Sequence, residues 1–398
     1  MDRLYSISIE KVRKVPVKTK RYLYYEIDWN NRLISITGAR GTGKTILMLQ
    51  QIKKLGVDVT EAIYLSLDNL YFTKNSLVDF AYHFTSRGGK YLFLDEVHKY
   101  STWSTEIKNI YDIHDDLKIV FTGSSVLEID KGDADLSRRI MKYHMHGMSF
   151  REYIELKYKT KLPVYRLEEI INDKNKISEH VKTLIEKPIK YFEEYLAYGY
   201  FPYIIEDKSG YYQRINSTIN TILESDLIAV HGIDFGSVVK LKKLLFIIST
   251  IVPFKPNISK LSRQVGVSRE TIQRYLFFLS KAGLINLLNS DIHGIGLMNK
   301  PDKIYLNNTN LMFALGENRI NTGTIRETFF MNQLMVRHRI NYTEKGDFLV
   351  DNEYIFEIGG KNKNKQQIKG LKNAFIVADN IEHKILNKLP LWYFGLMY

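Results

Sequence analysis

At 398 residues, with Lys+Arg 57 against Asp+Glu 44 and a formal net charge of +13, the chain is too long for one ordinary core and should divide into roughly two to four domains. The absence of cysteine excludes disulfides, thiolate zinc sites and thiol catalysis, so any metal must be held by oxygen or imidazole. The basic balance suits a polyanionic partner such as DNA. The most apolar stretch, Leu244 to Val252, is interrupted by Ser249 and Thr250 and stops at Pro253, too short to cross a bilayer, so no membrane partner is expected. Charges fill the opening MDRLYSISIEKVRKV where a signal peptide needs its apolar run, which gives a cytoplasmic expectation.

From residue 30 to about 150, within a first domain over 1–150, short apolar strands alternate with helices, the pattern of a parallel sheet flanked by helices. Strands are predicted at 33–37, 62–67, 91–95 and 118–122. Directly after the first comes GARGTGKT, Gly38 to Thr45, which fits the phosphate-binding template G-x-x-x-x-G-K-[ST]. Gly38, Ala39, Arg40, Gly41, Thr42 and Gly43 would turn backbone N–H groups around a triphosphate. Lys44 would neutralise its outer oxygens, and the Thr45 hydroxyl would ligate Mg²⁺. Ile46, Leu47, Leu49, Ile52 and Leu55 then form an apolar helical face, so strand, loop and helix stand in the required order, with Ile46 at the edge of the cofactor site.

The strand Tyr91-Leu92-Phe93-Leu94 closes on Asp95-Glu96, a Walker B arrangement: Asp95 would orient Mg²⁺ and Glu96 would polarise the attacking water. The strand KIVFTGSS ends in Thr122, Ser124 and Ser125, any of which could read the γ-phosphate; Ser124 is carried forward as the catalytic candidate. In DLSRR, Arg138 and Arg139 are candidate arginine fingers, which would make activity depend on a homo-oligomer.

Beyond the core, residues 151–235 read as a helical lid or connector, with Tyr153, Ile154, Leu167, Ile170, Val181 and Leu184 at helical spacing. Residues 236–300 read as a winged helix-turn-helix: a helix over 238–252, a short one over 259–265, Gly266 at the turn and a helix from Ser268. Ile272, Tyr275, Leu276 and Leu279 share one face, leaving Arg269, Gln273 and Arg274 for DNA. Residues 301–398 return to mixed strands and helices, a second α/β domain.

Taken in order, GARGTGKT, YLFLDEVHKYSTW, IVFTGSS, SRR with MSFREY, YLAYGYFP, GDFLVD and FEIGGK resemble prokaryotic AAA-type ATPases. In these a P-loop core precedes a winged helix and a C-terminal domain related to restriction-endonuclease folds. The resemblance implies an α/β fold with an AAA-type parallel-sheet core (1–150), a helical lid (151–235), a winged helix (236–300) and a nuclease-like α/β domain (301–398). It also implies a second site, in which Asp347 and Glu357 would hold Mg²⁺, Lys361 would assist water, and Glu327 would complete the acidic cluster. The expected lysine position, 359, is Gly, a departure that counts against cleavage.

The leading expectation is therefore an ATP- and Mg²⁺-dependent ATPase that couples nucleotide state to its winged-helix and nuclease-like domains on DNA. Three alternatives stand beside it: an ATP-gated DNA-binding regulator with slow hydrolysis, an active Mg²⁺ nuclease, and a protein-remodelling or signalling ATPase without nucleic acid.

Overall fold

The computed structural model describes residues 2–124, 138–290, 300–316 and 321–398. Two units emerge: Met1–His146 with Glu224–Ile233, and Gly147–Leu223 with Asp234–Tyr398. The stretch 151–235 is thus divided, most of it belonging to the second unit and ten residues to the first.

The first unit is built on five parallel strands, β1 Leu33–Thr37, β2 Ala62–Ser66, β3 Tyr91–Asp95, β4 Lys118–Thr122 and β5 Met141–His144, in the order β2-β3-β4-β1-β5. The inner strands are largely apolar because helices cover both faces. Ile63, Leu92, Leu94, Ile119 and Phe121 are buried in one cluster with Phe80 and Phe84 of the helix Leu77–Thr85 and Ile107 and Ile110 of the helix Trp103–Ile113. Trp103 closes the layer on Phe121, ring centroids 5.6 Å apart.

The fifth strand is absent from the sequence expectation for a physical reason. β5, Met-Lys-Tyr-His, is an edge strand with three of its four residues exposed, so it carries no apolar signature. Because all five strands run parallel, their carboxyl ends share one edge, and the loops leaving β1, β3 and β4 converge there. Residues preceding β5 lie at the opposite, amino edge.

The second unit begins with helices Phe150–Tyr158, Leu167–Ile171, Lys176–Leu184, Pro188–Tyr198 and Tyr211–Thr221. Ser149 and Glu152 close a reciprocal capping box on the first of them. Phe192 and Tyr195 pack with Phe150 and with Phe329 of the later helix Thr322–Leu334. Three helices follow, Phe235–Ile251, Ile258–Val265 and Arg269–Lys281, the last two joined through Gly266 in the left-handed region (φ 79°) and Ser268, whose side chain caps the third. An antiparallel pair, β6 Ile285–Leu288 and β7 Lys303–Leu306, comes next.

The chain ends in a mixed sheet of β8 Ile340–Asn341, β9 Phe348–Val350, β10 Tyr354–Gly359, β11 Ala374–Ala378 and β12 Lys388–Pro390. Its order is β12-β11-β10-β9-β8, antiparallel from β8 to β10 and parallel from β10 to β12. Phe330 on Thr322–Leu334 packs against Phe348, Phe356 and Phe394 to form its core. Among the described residues no helix is long and apolar enough to cross a membrane.

Candidate active site

The loop after β1 is shaped by its glycines. Gly43 (φ 101°) caps the helix Lys44–Leu55 from the left-handed region, and a Cβ at Gly38 would stand 2.3 Å from the Met145 carbonyl oxygen, so both positions require glycine. The helix therefore opens with its free N–H groups and the positive end of its dipole at the carboxyl edge of the sheet, the usual arrangement for binding phosphate. Lys44 Nζ donates to the carbonyls of Gly38 (2.8 Å) and Ala39 (3.0 Å). Burial lowers its pKa, while Glu96 and Asp95 oppose that fall. Thr42 closes the loop on itself through Ala39 O (2.9 Å), and Ile46 is exposed on the rim.

Asp95 ends β3 as the hub of the site. Thr45 Oγ1 (2.8 Å) and Tyr64 OH (2.7 Å) donate to its Oδ2, while Thr122 Oγ1 and the Glu96 N–H (3.1 Å) donate to its Oδ1. Four donors fix the carboxylate's plane next to the Thr45 hydroxyl. Paired oxygens of this kind, without nitrogen or sulfur, suit Mg²⁺ that takes its remaining ligands from water and phosphate. Glu96 follows in the left-handed region (φ 55°), an uncommon backbone for glutamate of the kind that clusters at active sites. Its side chain is one quarter exposed.

Around Glu96 lie residues that no sequence motif marks. Its Oε2 is 3.3 Å from His98 Nε2 and 3.8 Å from Arg40 Nη1. Asp226, fully buried, stands on the far side of the same two donors and also accepts from Lys99 Nζ at 2.8 Å. Burial would raise the Asp226 pKa, but His98, Lys99 and Arg40 outweigh it and hold the carboxyl at about 2. His98 Nε2 meets both carboxylates at ion-pair distance rather than with hydrogen-bond alignment. Arg21 supports the loop from below, donating to the carbonyls of Thr42 and His146. His98 and Lys99 could have been flagged as neighbours of Asp95-Glu96; Arg21 and Asp226 gave no such signal.

Of the hydroxyls at the end of β4, Thr122 is committed to Asp95, and Ser124 is buried with its N–H 3.4 Å from His98 Nδ1. Ser125 and the Asp135–Ser137 part of DLSRR lie outside the described residues. Arg138 and Arg139 are not brought to the site. They precede β5 and so fall at the amino edge of the sheet, where Arg139 pairs with Asp112 (3.3 Å) and lies over the Tyr111 ring. That placement sets them apart from the phosphate loop of their own chain, whereas the expected finger role is toward a neighbouring subunit.

The second candidate site does come together, though not as expected. Glu327 projects from Thr322–Leu334, Asp347 precedes β9 and Glu357 lies within β10. Lys361 is exposed and offers only its carbonyl, to Lys388 Nζ (3.0 Å); the lysine on Glu357 is Lys363, because the chain folds back after Gly359-Gly360. Lys303, from β7, lies 3.5 Å from Asp347 and 3.6 Å from Glu327. Burial and Asp347 push the Glu327 pKa up against the pull of Lys303, and burial likewise raises Glu357 against Lys363. With both lysines seated on the carboxylates, this donor set does not fit a divalent cation, and among the described residues no group of three or more His, Cys, Asp or Glu is arranged to hold one. On the helix Arg269–Lys281, Arg269 and Arg274 are exposed and Gln273 is half-buried, opposite the buried face of Ile272, Tyr275, Leu276 and Leu279.

Uncharacterized protein MJ1637 of Methanocaldococcus jannaschii is 27% identical over 296 residues, covering 71% of this chain and 59% of its own length. Uncharacterized protein MJ1544 of the same organism is 26% identical over 390 residues, 89% and 82%. The chain therefore spans about three fifths of the first relative. Similar solved structures include AMPPCP-bound DnaA from Aquifex aeolicus (16% identity, 68% of this chain and 86% of that one, TM-score 0.27) and PCH-2 from C. elegans (20%, 39% and 43%, TM-score 0.25), values too low to argue from. Residues 189–322 match a domain of unknown function (DUF8612). Residues 30–154, which hold all five parallel strands, the phosphate loop and Asp95-Glu96, match the AAA domain.

Proposed function

We propose that the first unit is an ATPase, and the observation that carries the reading is the Thr45–Asp95 hydrogen bond, which brings the two Mg²⁺-binding side chains of the P-loop and Walker B motifs together beside Glu96. Backbone N–H groups of residues 39–45 and the helix start receive the phosphates, and Lys44 exchanges the Gly38 and Ala39 carbonyls for phosphate oxygens. Mg²⁺ held by Thr45 and, through water, by Asp95 would offset phosphate charge. Glu96 accepts the proton of a water that attacks the γ-phosphorus as the bond to the β–γ bridging oxygen breaks, giving ADP and phosphate.

For the second unit the reading is nucleic-acid binding without cleavage. The exposed Arg269 and Arg274 on a helix that follows a tight turn, together with the basic balance of the chain, support DNA contact. The lysines seated on Glu327, Asp347 and Glu357 weigh against a nuclease. The test is ATP turnover by the purified chain with and without duplex DNA, against Lys44→Ala and Glu96→Gln. Loss of about 100-fold or more is expected for each, the range a general base commands, and equal turnover in all three proteins would remove the ATPase reading.

A further inference from the structure

Asp226 has no solvent access, yet three donors face it: two cations, Arg40 Nη1 at 3.2 and 3.3 Å and Lys99 Nζ at 2.8 Å, and the His98 ring, whose Nε2 lies at 3.4 Å. Two of the three are shared with Glu96. The third, Lys99, is turned away from Glu96 and toward Asp226 and the Ser225 hydroxyl. His98 is oriented from behind, since its Nδ1 accepts the Ser124 N–H, which assigns the ring hydrogen to the Nε2 that faces both carboxylates.

An anion that shares donors with a base controls how firmly those donors hold the base. With Asp226 in place, Arg40 and His98 are divided between two carboxylates, and Glu96 keeps contacts of 3.3 and 3.8 Å and a quarter of its surface open. With the Asp226 charge gone, the same two donors would face Glu96 alone. A closer clamp stabilises the Glu96 anion, weakens it as a proton acceptor and turns it from the water it must meet.

The backbone supports a special role for this residue. After leaving the first unit at His146 the chain returns to it between Leu223 and Asp234, and it opens into a π-helical turn over Ile222–Asp226 as the carboxylate arrives, a rare element that is frequent at functional sites. We propose, resting on the ATPase reading above, that Asp226 is a positioning residue for Glu96, holding Arg40, His98 and Lys99 so that Glu96 stays free to accept a proton. Its segment is covalently continuous on both sides with the second unit, so a displacement of that segment would be felt as a change in turnover.

The experiment is steady-state ATP hydrolysis and binding of a fluorescent ATP analogue by the full chain carrying Asp226→Asn. A fall in kcat of about 10-fold or more is expected, part of the range a general base commands, with KM and analogue affinity within about threefold of wild type. A role in folding alone would lower the fraction of active protein, so the active-site concentration is titrated with the analogue before kcat is compared. Should Asp226→Asn alone not fold, the double variant Lys99→Met with Asp226→Asn removes the buried cation together with the anion, still leaves Arg40 and His98 facing Glu96 alone, and is expected to lower kcat with KM unchanged. Wild-type turnover above the Lys44→Ala background separates the two claims. With that difference present, an unchanged kcat in the folded variant, or a loss confined to KM, overturns the role of Asp226; without it the ATPase reading itself has failed.

Discussion

Lys303 bridges two carboxylates of a largely secluded charge cluster, and replacing it by methionine, of similar length without the charge, probes how the second unit uses them. Its ammonium lies 3.5 Å from Asp347 and 3.6 Å from Glu327, with side chains 25%, 18% and 17% exposed. Removing one partner of a fully buried pair costs about 3–5 kcal/mol, and an exposed pair contributes about 0–1, so this quarter-exposed lysine should be worth roughly 1–3 kcal/mol at neutral pH. The pH dependence follows from Glu327, whose folded pKa is raised above 4.5 by burial and Asp347. A raised carboxyl contributes stability that is complete below its unfolded pKa and is lost as pH rises through the folded one. Without Lys303 the rise is larger, so Lys303→Met should melt several degrees below wild type at pH 7–8 and converge with it near pH 4. Thermal unfolding across that range, with and without Mg²⁺, is the assay. Mg²⁺ should raise the melting temperature of the variant more than that of wild type, because the freed carboxylates then offer it a place. Equal melting at pH 8, or a gap that persists at pH 4, would refute the reasoning.

Two further outcomes are expected. Arg21→Ala removes the donor on the Thr42 carbonyl while leaving every residue of the phosphate loop in place; loss of a charged hydrogen bond of about 1.5–3 kcal/mol predicts roughly 10-fold weaker binding of an ATP analogue by titration calorimetry, and unchanged affinity would show the brace to be idle. Glu194 is held at about 2: burial raises its pKa, but Lys157 (2.5 Å), Tyr158 and Lys208 (2.9 Å) override it. A depressed carboxyl stabilises above its unfolded pKa of 4.5 and loses that contribution as pH falls toward 2. Glu194→Gln should therefore cost roughly 1–3 kcal/mol in urea unfolding at pH 7, discounted for its partial exposure, and markedly less at pH 3.

Much of the parallel core was legible because its physics is local. Buried strands covered on both faces carry apolar runs through their middles, as Leu92-Phe93-Leu94 of β3 and Ile119-Val120-Phe121 of β4 do. The phosphate loop needs glycine where φ is positive, as at Gly41 and Gly43. β5 escaped because an edge strand can be polar. Lys363 escaped because its approach to Glu357 depends on the turn after Gly359, a matter of backbone path rather than spacing. The helices between 150 and 221 carry the apolar spacing of packed helices, but spacing does not name the surface they pack on: Phe192 and Tyr195 meet Phe329, far along the chain.

Strand direction decides which of the remaining candidates can take part in chemistry at the phosphate loop. In a parallel sheet a residue that follows a strand arrives at the carboxyl edge, as Glu96 does after β3 and Ser124 after β4, whereas one that precedes a strand is delivered to the other edge, as Arg138 and Arg139 are before β5. The parallel pairing of β5 with β1 thus sets those arginines apart from the phosphate loop of their own chain. Asp226 obeys neither rule, since it belongs to no strand of this sheet and reaches the carboxyl edge from a segment inserted between two stretches of the second unit. In the sequence it is one acid in ESDLIAVHG, indistinguishable from a solvated helix residue. Only its complete burial among Arg40, His98 and Lys99 reveals it, because a carboxylate removed from water persists where cations compensate it. Two of the donors on Asp226, Arg40 and His98, are ones that Glu96 must share, and that shared claim is why a residue with no motif can govern one that has the clearest motif in the chain.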